Sequence, residues 1–156
     1  MSRLFFVARS RHAPGDTLGA GHFGAGFKRY RYDAQTMGGA QAAWRLASEL
    51  LVENVRRARF PSLPSRFECS FAFNDEDHAL AEMADGTFLH EVRLVNPGAS
   101  THVAGFNLMS SYRRFAVDQD FIEMTEAIAD AYWSGRDIIV PEVLSLSPLE
   151  VVSCLS

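Results

Sequence analysis

The sequence predicts one α+β domain spanning residues 1–156. Three observations predict it. The length suits a single domain, and a chain 47% hydrophobic and 22% charged has the balance of a globular protein with a buried core. Two segments carry a helical period and several carry strand patterning. The two kinds follow one another without the regular alternation of a doubly wound sheet.

Leu4-Phe5-Phe6-Val7-Ala8-Arg9 is a short apolar run that reads as a buried strand. Residues 13–26 are glycine-rich with Pro14 and read as loop. From Gly39 to Arg59, Trp44, Ala47, Leu51, Val55 and Ala58 form an apolar stripe. Glu49, Glu53, Arg56 and Arg57 fall on the other side, as in an amphipathic helix. Pro61 and Pro64 end it. Phe67 to Phe73 alternates as a strand, and Asn74 is placed to cap a helix reaching about Met83. Thr87 to Val95 is a further strand closed by Asn96-Pro97-Gly98. Asp120 with Glu123 resembles a capping box, opening a helix with Phe121, Thr125, Ile128 and Tyr132 on one stripe and a stop near Gly135. Asp137–Val140, Val143–Leu146 and Leu149–Cys154 are strand material, the last two reading as a hairpin with Glu142 at its mouth behind Pro141.

This composition excludes a disordered tail, a collagen-like rod and a disulfide-stapled mini-protein. No apolar run approaches the roughly 20 residues of a membrane span, so no membrane partner is expected. The first nine residues do not read as a secretory signal, and Cys69 and Cys154 share no metal-ligand spacing. The expected location is the cytoplasm, with delivery to a target cell by a signal-independent route as the alternative. A net charge of −4 hides an asymmetry: residues 1–66 hold eleven basic and four acidic side chains, residues 67–156 four and fifteen. Fourteen of the fifteen basic residues are arginine, the better fork for phosphate oxygens, so the first half is a candidate phosphate-recognising surface.

Gly19-Ala20-Gly21-His22-Phe23-Gly24 spells a dinucleotide fingerprint, which works only between a strand and a helix. The sequence around it predicts neither, so a flexible glycine loop is the expectation. Lys28-Arg29-Tyr30-Arg31-Tyr32 interleaves basic and aromatic residues, as a nucleic-acid contact or as an edge strand with a solvated face. His12, His22, His78, His90 and His102 form no ligand spacing, and no metal is expected.

The C-terminal pattern, Glu142 leading Val143-Leu144 with Val151 nine positions on, resembles the end of the ADP-ribosyltransferase superfamily. Within it, the chain is similar to the poly-ADP-ribose polymerases and the bacterial DNA-modifying transferases. Arg9 ends the first strand, where that superfamily carries its Arg or His, while Phe60–Arg66 with its Pro64-Ser65-Arg66 turn, leading into Glu68–Phe73 with Ser70-Phe71, and Tyr132-Trp133-Ser134-Gly135 resemble an uncharacterised bacterial family associated with it. The resemblance implies a split β-sandwich with peripheral helices, holding NAD between two small sheets. By the same resemblance Glu142, Ser70 and Arg9 are the catalytic set, and Arg9, Ser10, Arg66, Ser70 and Phe71 contact NAD. Glu142 would accept bonds from the ribose next to nicotinamide, Arg9 would grip the pyrophosphate or adenosine ribose, Arg66 is a further phosphate candidate, and Phe71 would stack on nicotinamide. Arg11 and His12 are alternatives to Arg9.

The implied function is NAD-dependent mono-ADP-ribosyl transfer to a protein or nucleic-acid acceptor, as in a toxin or effector. Val140 stands where arginine-modifying members carry a second Glu, so guanidinium transfer is not implied and the acceptor atom stays open. The alternatives are a nucleic-acid or partner-binding module using Lys28–Tyr32 and Arg56–Arg66, an RNA 2′-phosphotransferase, or a degenerate transferase that binds NAD without turnover.

Overall fold

The computed structural model describes residues 3–31, 37–110 and 118–156, and shows an α+β fold. Its strands are β1 (Leu4–Ala8), β2 (Thr17–Leu18), β3 (Ser70–Phe73), β4 (Phe88–Leu94), β5 (Thr101–Gly105), β6 (Pro141–Ser145) and β7 (Leu149–Cys154). The helices among the described residues are α1 (His22–Lys28), α2 (Met37–Arg59), α3 (Glu76–Ala81), α4 (Phe106–Met109) and α5 (Phe121–Ser134). None of them is long and apolar enough to cross a membrane.

The seven strands form one antiparallel sheet in the order β2-β7-β4-β1-β3-β6-β5. Its joints differ in length. β1 and β4 are in register from Leu4–Val92 to Ala8–Phe88, whereas β1 and β3 share the single pair Phe5–Phe73. The sheet is thus two wings, β2-β7-β4-β1 and β3-β6-β5, whose ladders meet at one pair. On one face, Ala72 and Val143 of the second wing pack in a cluster with Leu4, Val92, Leu149 and Val151 of the first. On the other, α2 and α5 cover the second wing, burying Val52, Tyr132 and Trp133 against Cys69, Ala104 and Leu144. Trp133 Nε1 donates to the Val52 carbonyl at 3.0 Å, which ties the two helices together. A third cluster sets α3 against β1 and β4 through Phe5, Ala79 and Leu89.

Several local expectations need correction. The glycine-rich segment is not a flexible loop: β2 leads into Gly19–Gly21 and then α1. Gly21 takes φ +80 at the helix start, and at Gly24 a Cβ would lie 2.0 Å from the Phe67 carbonyl oxygen, so glycine lets α1 press onto that backbone. β2 is an antiparallel edge strand on β7, which is not the parallel unit a dinucleotide fingerprint needs. β3 starts at Ser70 and not Phe67, because Glu68 N–H closes a turn onto Ser65. Asp75 and not Asn74 caps α3, accepting from His78 N–H at 3.1 Å. Asp120 precedes α5 without a side-chain cap bond, so no capping box forms. Residues 137–140 are not a strand; Asn107 Oδ1 takes the N–H groups of Ile139 and Val140 instead of a ladder. β6 and β7 do not pair as a hairpin. They lie in opposite wings, separated by β3, β1 and β4.

The buried stripe of α2 is also rotated from the predicted one. Ser48, Glu49, Val52, Glu53 and Val55 are buried, while Trp44 is 52% exposed. Carboxylates tolerate that burial because cations reach them. Glu53 receives Arg56 at 2.7 Å and the Ser65 hydroxyl at 3.0 Å. Burial alone would raise the Glu53 pKa, but hydrogen bonds from Arg56 and Ser65 outweigh it and hold it below its usual value.

Candidate functional site

β1 and β3 part after the Phe5–Phe73 pair, and the facing runs Phe6–Ser10 and Cys69–Phe73 line a cleft of about 940 Å³. That volume is at the upper end of the range for small-molecule and cofactor sites, about 300–1,000 Å³. Because the cleft passes between the parted strands, residues of both sheet faces reach it: Phe6 and Ala72 from one, Phe5, Phe73 and Glu142 from the other.

Pro141 begins β6 and Glu142 follows, opposite Phe73 on β3 and Ala104 on β5. Glu142 is only 5% exposed. Its Oε1 accepts from the Tyr132 hydroxyl at 2.7 Å and from Arg66 Nη1 at 3.2 Å. Arg66 also donates to the Tyr132 oxygen, and its Nε and Nη2 reach the two oxygens of Glu49 at 3.0 and 3.3 Å. The guanidinium carbon lies 5.0–5.1 Å from the ring centres of Phe23, Phe71 and Tyr132, a cation–π cage. Burial would lower the Arg66 pKa, but Glu49, Tyr132 and Glu142 reverse that and keep it charged. Burial pushes Tyr132 well above its usual value, so it stays a neutral phenol able to donate. With Oε1 occupied, Glu142 Oε2 has no hydrogen-bond partner among the described residues.

Arg9 and Ser10 lie exposed at the cleft, and Arg45 of α2 lines it too. Among the described residues neither arginine has an ion-pair or hydrogen-bond partner, so each guanidinium fork is uncommitted. Of the alternatives to Arg9, His12 lines the cleft, whereas Arg11 stacks over Phe88 outside it. Ser70 lines the cleft, with a buried hydroxyl that has no partner among the described residues. Register separates it from the acid, however. Ser70 opposes Ser145 and Glu142 opposes Phe73, so strand alternation puts Ser70 with Ala72 on one face and Glu142 with Phe71 on the other.

The structure therefore brings Arg9, Ser10, Ser70, Phe71, Arg66 and Glu142 to one cleft. It redistributes their tasks. Arg66 is not an open phosphate fork, because its donors are committed to Glu49, Tyr132 and Glu142. Phe71 packs one face towards Arg66 and meets Phe23 edge-on at 5.2 Å. Sequence reasoning missed Glu49, Phe23 and Arg45, and saw in Tyr132 only packing and a motif letter. Glu49 carried no signal, since helical spacing cannot reveal a cation arriving 17 residues later. Next to the site, burial pushes the Cys69 thiol up to about 12, which leaves it protonated and unreactive.

Lys28, Arg29 and Arg31 are exposed, and Lys28 closes a helix and not a strand; Tyr32 lies outside the described residues. Arg57 and Arg59 are exposed but paired with Glu53 and Asp130. Among the described residues no group of three or more His, Cys, Asp or Glu is disposed to hold a metal.

Residues 24–155 match a family of proteins of unknown function, DUF2441. The chain belongs to that family. The DUF2441 segment contains Glu49, Arg66, Ser70, Tyr132 and Glu142 and begins after Arg9. No curated protein matches the chain.

Proposed function

We propose that this protein is an NAD-dependent mono-ADP-ribosyltransferase that releases nicotinamide and passes ADP-ribose to a protein or nucleic-acid acceptor. One observation carries the reading: a buried carboxylate, Glu142, and two uncommitted arginines, Arg9 and Arg45, line the same cleft. Such polarity fits a ligand with a dianionic pyrophosphate at one end and a reacting sugar at the other. The two wings, whose ladders meet at one residue pair, are in keeping with the split sandwich that the superfamily resemblance implies.

The chemistry follows from charge development. As the ribose C1′–nitrogen bond breaks, its electron pair leaves with nicotinamide and the sugar ring becomes oxocarbenium-like. A fixed carboxylate against that sugar stabilises the growing positive charge. The acceptor then donates an electron pair to C1′ and loses its proton. Arginine forks on the phosphates hold the dinucleotide so that binding energy orients the reacting bond.

The test is nicotinamide release from labelled NAD by the wild-type chain and by Glu142→Gln. The wild type is expected to turn over, with the variant slower by about 100-fold or more while retaining NAD binding. Equal rates would remove Glu142 from the mechanism. Absence of NAD binding at millimolar concentration would end the transferase reading.

A second reading rests on a separate observation: Lys28, Arg29 and Arg31, at and just beyond the end of α1, are exposed and have no partner among the described residues. A nucleic-acid module predicts binding that falls steeply with salt and does not compete with NAD. Salt-insensitive binding would count against it.

A further inference from the structure

Three buried groups converge behind Glu142. Tyr132 is 0% exposed, Glu49 1% and Arg66 5%. A buried ionic network is a poor means of stabilising a fold, since apolar residues of similar volume do as well or better. Its position beside a cleft points to a task at the cleft. The geometry specifies the task. Both donors that reach Glu142, the Tyr132 hydroxyl and Arg66 Nη1, converge on Oε1 alone. Arg66 cannot swing away, because Glu49 grips its other edge through both carboxylate oxygens and the Phe23 and Phe71 rings lie 5.1 and 5.0 Å from its guanidinium carbon. Tyr132 is fixed in turn by edge-to-face contact with Trp133 at 4.9 Å.

We infer that Tyr132 and Arg66, braced by Glu49, are positioning residues that clamp one oxygen of Glu142 and hold the other towards the ligand. The inference rests on the transferase reading for its substrate but not for its geometry. Glu142 approaches the sugar as a pre-oriented anion with a single open lone-pair edge, and it needs no reorganisation as charge develops.

Tyr132→Phe tests it, because the ring that flanks Arg66 stays and only the hydroxyl goes. In nicotinamide release, kcat is expected to fall about 10- to 100-fold while the KM for NAD stays within about threefold. A merely structural residue would lower the melting midpoint without separating kcat from KM. If the wild type is active and Tyr132→Phe matches it, or if kcat and KM worsen together, the clamp is overturned and the transferase reading stands. If the wild type neither binds nor cleaves NAD, the transferase reading falls, and a double-mutant cycle of Tyr132→Phe and Glu142→Ala in urea decides the clamp alone. Non-additive unfolding constants, by about threefold or more, support it; additive ones overturn it. Should Glu142→Ala fail to fold, Glu142→Gln replaces it in the same cycle.

Discussion

Tyr132 and Glu142 lie ten positions apart and meet through a 2.7 Å hydrogen bond, although one belongs to a helix and the other to a strand. The connection between those elements makes this contact. α5 stops at Gly135, whose φ of +69 turns the chain, and Arg136 N–H returns to the Ala131 carbonyl. Asn107 then holds the approach to β6, accepting from Ile139 and Val140 and donating to the Asp137 carbonyl at 3.0 Å.

Asn107→Ala should therefore loosen the site from a distance. Two N–H groups lose their acceptor, which costs about 1–2 kcal/mol by urea unfolding. Nicotinamide release should fall as well, because β6 carries Glu142. A variant with wild-type stability would show that solvent replaces the side chain.

Arg9→Gln and Arg45→Gln leave no anion behind, so their urea midpoints should match the wild type. Loss of a charge-assisted phosphate contact should weaken NAD binding about 10- to 100-fold in each. Calorimetric titration with NAD and with ADP-ribose measures this. Unchanged affinity in both variants would place the phosphates elsewhere.

Gly24→Ala is a test of the fold. The added Cβ would meet the Phe67 backbone at 2.0 Å, and backbone cannot move aside as a side-chain tip can. A loss of about 1–3 kcal/mol is expected in thermal or urea unfolding. Gly26→Ala, with open space around it, should be neutral or slightly stabilising.

His90 should make stability depend on pH. It is fully buried on β4, and its Nε2 accepts from the His12 main-chain N–H at 3.0 Å. Burial, then the neighbouring His12, hold its pKa below the ordinary 6.5. Between those two values the unfolded chain binds a proton that the folded chain refuses. The contribution is therefore complete above the ordinary value and is lost as pH falls from there towards the lowered one. His90→Gln keeps an acceptor that does not titrate, so its urea midpoint should change less over about pH 7.5 to 5. Parallel profiles would acquit His90.

Some of this was legible from residue order alone. Leu149–Cys154 forms β7 as its pattern indicated, and the stripe through Phe121, Thr125, Ile128 and Tyr132 forms α5 up to the glycine stop. What stayed hidden depended on distant partners. Gly24 looked like loop because its use is a contact with Phe67, 43 residues on. β6 and β7 looked like a hairpin because spacing along a chain does not fix pairing across it. Glu49 looked solvated because Arg66 comes from outside its helix. Arg9, Ser70 and Glu142 do share a cleft, but the face Ser70 takes was decided by register, which no motif carries.

Strand edges left without a neighbour normally invite another chain to add itself and begin aggregation. Where β1 and β3 separate, the two strands instead face each other across the cleft, and the Cys69 carbonyl just before β3 is already taken by Gly21 N–H at 3.1 Å. The parted main chains thereby border a space of the size a small guest would fill. A contact made there to peptide groups would survive side-chain exchange, so some affinity should persist after the polar side chains of the cleft are replaced.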